Sequence, residues 1–287
     1  MNLKNILFLF FAVVLLSNIG FSATYVVNQT NPGCMVGDIN FETIYDATEA
    51  ATVPGDTIIV CPESTPYIER VEIATSINIY GYGAKVNITN DSRPDLNAVI
   101  TIFVPYVNIS NFTVFGETEG SGIEVRALAH NSTIENITSY NNKYGFYLNT
   151  SNNNTLISNE AYNNTLHGLS LYDSNNNTLI SNEACNNTYG FYIYNSSGNY
   201  FVYSWADNNT WEGFILGMNS ENNTLERNNS TENFMGFFID NSNFNNLLDN
   251  NASANDYGFY IQSSVNITLL YNNASENSDV GFYLTGF

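Results

Sequence analysis

Gly190-Phe-Tyr-Ile, Gly213-Phe-Ile-Leu, Gly236-Phe-Phe-Ile and Gly258-Phe-Tyr-Ile are four copies of one unit, glycine-apolar-x-apolar, spaced 22 or 23 residues apart. The series extends back through Gly168-Leu-Ser-Leu, Gly145-Phe-Tyr-Leu and Gly122-Ile-Glu-Val, and forward to Gly281-Phe-Tyr-Leu. A fixed period of this length marks a stacked-repeat architecture. Alternation within each unit is a strand pattern, and the repeats show no helical periodicity, which excludes helical-repeat solenoids. Two asparagine columns keep the same period. One runs through Asn136, Asn159, Asn182, Asn228, Asn250 and Asn272, each behind one or two apolar residues; the other lies five residues on, at Asn141, Asn164, Asn187, Asn233, Asn255 and Asn277.

Three short strands and three corners suit such a coil, so the expected fold is all-β: a single-stranded parallel β-helix of 22–23 residues per coil. Coils stacked about 4.8 Å apart set the same slot of each coil directly above the last. Phe146, Leu169, Phe191, Phe214, Phe237, Phe259 and Phe282 then form a ladder filling the interior. Asparagine at a corner tolerates left-handed backbone angles, and stacked amides hydrogen-bond along the ladder.

Ahead of the repeats, Phe41 to Ala51 has helical spacing through Ile44, Ala47 and Ala51, and a helix there would cover the open end of the solenoid. Strands are expected at Pro54–Cys61, Val71–Ile79 and Ala98–Val104. After the Gly281 strand no amphipathic segment follows, so self-association through that coil, a partner seated on it, or a truncated gene is expected.

Lys4 precedes an unbroken apolar run from Ile6 to Leu16. This is the layout of a secretory signal, with Ala23 the expected last residue before cleavage. The other reading is an uncleaved anchor, the one route to a membrane, although Ile6 to Phe21 falls short of the ~20 residues a spanning helix needs. The chain thus divides into residues 1–23, a cap with irregular first coils at 24–121, and regular repeats at 122–287. Everything after Ala23 is expected outside the cytoplasm: extracellular, at the cell surface, or periplasmic where the envelope has an outer membrane.

Without Lys4, six Lys or Arg face 27 Asp or Glu, a formal balance of −21. Such a surface repels nucleic acid, anionic lipid and polyanionic glycans. Cys34 and Cys61 flank the expected helix, and in an oxidising compartment a disulfide between them would stabilise the fold by about 3–4 kcal/mol. Cys185 reads as a small packed side chain beside Ala184. Three cysteines have neither the count nor the spacing of a zinc site.

The glycine-apolar-x-apolar repeat, with the Phe41–Cys61 segment and its Pro-Gly-Asp-Thr-Ile-Ile-Val strand, resembles the right-handed parallel β-helix superfamily. Within it the chain is similar to the repeat-rich relatives of pectate lyases and of NosD, a periplasmic copper-binding protein. The resemblance implies a right-handed coil but no single activity, because its motif consists of structural residues. A pectate-lyase-like site would need calcium, an acidic cluster and a base. After Arg93 only Arg126, Lys143 and Arg227 are basic, and they share no column, so polyuronate cleavage is not expected and calcium has no support. His130, His167 and Met235 are too scattered for copper, and the histidines read as single exposed side chains, so no metal or cofactor is expected.

Glycoside hydrolysis needs two suitably spaced carboxyl groups. Glu160 with Glu183, in equivalent slots of adjacent coils, and Asp207 with Glu212 are the candidates; duplicated surface glutamates explain the first pair equally well. The slot between the two apolar residues of each unit holds Glu124, Tyr147, Ser170, Tyr192, Ile215, Phe238, Tyr260 and Tyr283. Period-two alternation turns it outward, so the later coils carry an aromatic stripe suited to the apolar faces of sugars. Strand propensity alone gives the same residues. One coil departs from the template: Trp205 and Thr210 stand where the columns call for Asn, with Asp207, Trp211 and Glu212 nearby. These residues make a second candidate patch. About twenty Asn-x-Ser/Thr sequons, Asn163, Asn186 and Asn208 among them, lie in the Asn-rich corners. The expected function is a non-enzymatic exported rod binding a glycan or an envelope partner; the alternatives are a polysaccharide-active enzyme and a structural envelope component.

Overall fold

The computed structural model describes residues 22–29, 34, 39–88 and 97–286. The secretory-signal segment and Arg93 lie outside them. Among the described residues the chain is a right-handed parallel β-helix with a single helix, α1 (Ile44–Ala50). One face is a ten-stranded sheet, here sheet I, running from Val71–Ile73 to Val280–Thr285 and containing every glycine unit. The rest of each regular coil is a pair of three-residue strands, such as Thr155–Ile157 and Glu160–Tyr162, joined by a corner and stacked in register with the coils on either side, while the early coils carry single long strands, Asn78–Asn87 and Asn108–Phe115.

The helix is shorter than the expected Phe41–Ala51 because Thr43 caps it, its side chain accepting the Asp46 N–H at 3.0 Å. Glu69 reaches across to accept the N–H groups of Ile44 and Tyr45 at 2.9 and 2.8 Å, pinning the helix to the first coil. Buried Ile44 and Ala47 make its inner face. Cys34 and Cys61 form the disulfide. The run Val71–Ile79 proves to be parts of two strands, Val71–Ile73 on sheet I and the start of Asn78–Asn87, because the coil turns between them.

Inside, the aromatic ladder forms as expected: Phe191, Phe214, Phe237 and Phe259 are buried and stack with Phe282, which is 44% exposed on the last coil, at centroids 4.5–4.9 Å apart and planes within 7°. Each fully buried ring contributes about 2–3 kcal/mol of hydrophobic stabilisation. The unit glycines are explained by crowding. A Cβ at Gly168 would sit 2.7 Å from the Ala184 Cβ and 2.9 Å from both the Asn187 Nδ2 and the Gly190 carbonyl oxygen.

The asparagine columns have a different logic from the expected one. The two tasks assigned to one corner residue are split between neighbours. Asn163 and Asn186 take the left-handed angles (φ 54° and 55°) and stay exposed, while Asn164 and Asn187 are buried. Each buried amide ties several coils together. Asn187 Oδ1 accepts the Asn164 N–H at 2.9 Å, and its Nδ2 donates to the Ala161 carbonyl at 2.9 Å and to Asn209 Oδ1 at 3.2 Å. Asn136 and Asn141 are therefore not rungs. They are left-handed corner residues, and the next residues, Ile137 and Asn142, occupy the buried slots.

The same one-residue correction removes the supposed break at Trp205 and Thr210. Asn209 fills one column, and Ser204 fills the other, its Oγ accepting the Asn182 N–H at 3.2 Å. A third buried column, Asn154, Asn177, Asn199, Asn223 and Asn245, closes the remaining turn.

Replacing Asn209 with Ala strands the Asn187 N–H and removes the bonds to Ala184 and Asn233. Unsatisfied buried groups of this kind cost about 1–3 kcal/mol each, so a loss of about 2–4 kcal/mol is expected in chemical denaturation. Asn208→Gly, at the exposed left-handed corner beside it, should cost under about 1 kcal/mol. Equal losses at the two positions would refute this division of labour.

Candidate functional site

In each six-residue strand of sheet I the glycine and the apolar residue after it both turn inward, which interrupts the alternation, so the residue before the glycine, the middle slot and the strand end face away from the core, and the in-register pairing stacks them into three outward columns. The residue before each glycine gives Tyr144, His167, Tyr189, Glu212, Met235 and Tyr257. The middle slot gives Tyr147, Ser170, Tyr192, Ile215, Phe238, Tyr260 and Tyr283. The strand ends give Asn149, Tyr172, Tyr194, Gly217, Asp240 and Gln262.

This outer face is paved with rings in two groups. In the first, Tyr144 stacks on Tyr147 at 5.1 Å, His167 on Tyr192 at 4.1 Å, and Tyr172 on Tyr194 at 5.1 Å. In the second, Trp211 meets Phe234 edge-on at 5.5 Å, and Phe238, Tyr257, Tyr260 and Tyr283 continue toward the last coil. Of the expected stripe, Tyr192, Phe238 and Tyr260 are half-buried and Tyr283 is exposed.

His167 is not the exposed side chain expected of it. Tyr144, Tyr189 and Tyr192 enclose it, leaving it 8% exposed, and its Nδ1 has no hydrogen-bond partner. Burial, with Lys143 adding repulsion, lowers its pKa to about 3, so the ring is neutral at ordinary pH. Glu212, two coils along the same column, is likewise buried with Oε2 unpartnered, and burial pushes its carboxyl above the usual range.

The second candidate patch does not assemble as expected. Asp207 lies on the strand Trp205–Asp207, outside sheet I, whereas Glu212 and the neighbouring Trp211 belong to sheet I and the turn leading into it. A corner separates the two carboxylates, and the two tryptophans likewise stand on either side of it. What does assemble is a different row: Glu160, Glu183 and Trp205 lie in register on consecutive coils, with Tyr162, Cys185 and Asp207 beside them. Phe115, Tyr140 and Tyr162 stack there at 4.9 and 5.0 Å. Burial first, then Glu160 and Asp207, raises the Glu183 pKa. Cys185 points outward, not into the core beside Ala184 as expected. Its thiol is still not activated, because burial and the neighbouring carboxylates push it to about 11.

A family model described as periplasmic copper-binding protein (NosD) matches residues 49–216 and 193–286. The chain belongs to the NosD family. No curated protein sequence matches it. Among solved structures, it resembles the A-module of mannuronan C-5 epimerase AlgE4 from Azotobacter vinelandii, with 15% identity, 84% of this chain and 89% of that chain covered and a TM-score of 0.62. For pectate lyase Pel9A the values are 17% identity, 90% and 81% coverage and a TM-score of 0.60. The Dettilon tailspike protein reaches a TM-score of 0.67 at 12% identity, over 76% of this chain and 48% of that one. At these identities the likeness is one of fold.

The described residues of this NosD-family chain do not fit a copper centre. Among the described residues no group of three or more His, Cys, Asp or Glu converges. The His130 Nδ1 accepts the Asn152 N–H at 2.9 Å, and His167 is closed in by tyrosines.

Unfolded His167 takes up a proton near pH 6.5, whereas the folded residue does so only near pH 3. The unfolded state binds more protons throughout that window, so this residue's contribution to stability is lost as the pH falls, by up to about 1.4 kcal/mol per pH unit. In His167→Phe that loss is absent. Stability measured by chemical denaturation at pH 7 and pH 4.5 should therefore shift in the variant's favour at the lower pH, and a pH-independent difference would contradict the buried neutral imidazole.

Proposed function

We propose that this chain is an exported, non-enzymatic glycan-binding rod, and that the aromatic outer face of sheet I is its binding surface. The observation that carries the reading is the paving itself: rings stand on consecutive coils on either side of the Glu212–Gly217 strand, at a spacing a polymer can follow. Sugar rings have an apolar face that packs on aromatic rings, and their hydroxyls need hydrogen bonds but no opposite charge, which suits a strongly acidic chain. The names of the solved neighbours support the substrate class at the level of polysaccharide, since mannuronan and pectate are both polysaccharides. The Cys34–Cys61 disulfide and the periplasmic description of the family support a place outside the cytoplasm.

One observation favours the second reading, a glycoside hydrolase. Glu160 and Glu183 face outward on adjacent coils, so their carboxyl groups stand about 5 Å apart, near the separation of retaining enzymes. The raised pKa of Glu183 suits a general acid. Against it, the two carboxylates are equivalent repeats of one slot on an open face.

A glycan array probed with wild type, Tyr192→Ala/Tyr260→Ala and Trp205→Ala separates these readings. Loss of two stacking rings should weaken binding about 5- to 100-fold, while Trp205→Ala, on another face, leaves it unchanged. An array with no selective signal would remove the binding reading. Reducing ends released from a bound glycan by wild type but not by Glu183→Gln would install the hydrolase instead.

A further inference from the structure

The strand-end column of sheet I is a ladder with one rung missing. Tyr172 and Tyr194 stack with planes 5° apart; the next slot, in register, is Gly217, and the one after it is Asp240. A Cβ built on Gly217 meets nothing within 4 Å, unlike the crowded unit glycines. Its backbone lies outside the left-handed region, so neither conformation nor packing calls for glycine here. The consequence is a gap on the outer face, floored by backbone. The Tyr194 ring bounds it on one side and the Asp240 carboxylate on the other, with the Tyr192 ring lying parallel to Tyr194 at 6.3 Å.

We propose that this gap is a sugar subsite that takes one pyranose ring of a neutral glycan as the missing rung; the inference rests on the glycan-binding reading above. Two coil steps separate Tyr194 from Asp240, about 9.6 Å. A pyranose stacked about 4 Å from Tyr194 leaves about 5.6 Å to the Asp240 step, a span that an axial hydroxyl on the far side and a carboxylate turned toward the gap close together. The pairing selects for charge. An anionic carboxylate facing the ring accepts hydroxyl hydrogens and repels a uronate, and no Lys or Arg stands in the three outward columns from Tyr144 to the last coil.

The test is calorimetric titration with neutral hexasaccharides of glucose, mannose and galactose, and with a hexauronate of matched length. Wild type should bind at least one neutral hexasaccharide and should bind the hexauronate more weakly. Gly217→Tyr, which fills the gap with the chain's own rung, should weaken neutral binding at least 10-fold with an unchanged or higher melting temperature. Tyr194→Ala and Asp240→Asn, which do not depend on fitting a new ring, should each weaken it several-fold, and Asp240→Asn should narrow the preference against the hexauronate. Neutral binding that survives all three substitutions would overturn the subsite and leave the paved face standing, as would a wild-type preference for the hexauronate. No binding of any hexasaccharide would overturn both.

Discussion

The buried asparagine amide is the interaction on which the rest of this structure depends. A coil of three short strands leaves corner N–H and carbonyl groups turned inward, where water cannot reach them, and each unpaired group would cost on the order of 1–3 kcal/mol. An asparagine at the same corner of every coil answers this with one side chain type, its oxygen taking the N–H of the coil behind while its nitrogen donates to a carbonyl and to the next amide. The bonds from Asn164 through Asn187 and Asn209 to Asn233 and Asn255 form one continuous chain of this kind. Because the ladder works only when coils are in register, it also fixes the register of every other column, inside and out.

That dependence explains which departures the repeat tolerates. Ser204 stands in an asparagine slot because its hydroxyl still accepts the Asn182 N–H, and Ser204 in turn donates its own N–H to Asn228 Oδ1. Ile137 holds a rung position only at the first regular coils, where its N–H is still met by Asn159. Outward slots obey no such rule. Tyrosine, serine, glutamate, isoleucine and glycine alternate there without disturbing the coil, which is why a structural motif says so little about what the outer faces do.

The same division decides how much could be read from the sequence. Period, strand faces, the phenylalanine ladder, the capping helix and the direction of the middle slots follow from spacing alone. The split of each corner into an exposed left-handed residue and a buried amide does not, because Asn163 and Asn164 are the same letter, and a period that alternates between 22 and 23 hides a one-residue slip. That slip made Trp205 and Thr210 look like broken rungs. The burial of His167 and Glu212 was equally hidden, since it arises from tyrosines on neighbouring coils. The signal that was present but unused is alternation carried from the middle slot to the strand end, which brings Tyr172 and Tyr194 onto the same face; Tyr144, His167 and Tyr189 were hidden, because the glycine and the apolar residue after it both turn inward and interrupt the alternation there.

In a solenoid each coil meets only its neighbours, so stability is close to a sum over coils and their interfaces. Omitting one outward side chain therefore costs only its own contacts with the rungs before and after it, and the rest of the rod is unaffected. Gly217 is such an omission, at a position where the chain has both the backbone angles and the space for a larger residue. An absence of this kind is cheap to acquire and leaves a gap one rung deep, already lined by a ring on one side and a carboxylate on the other. Regular stacking, which looks purely structural, thereby sets the dimensions of what such a gap can hold.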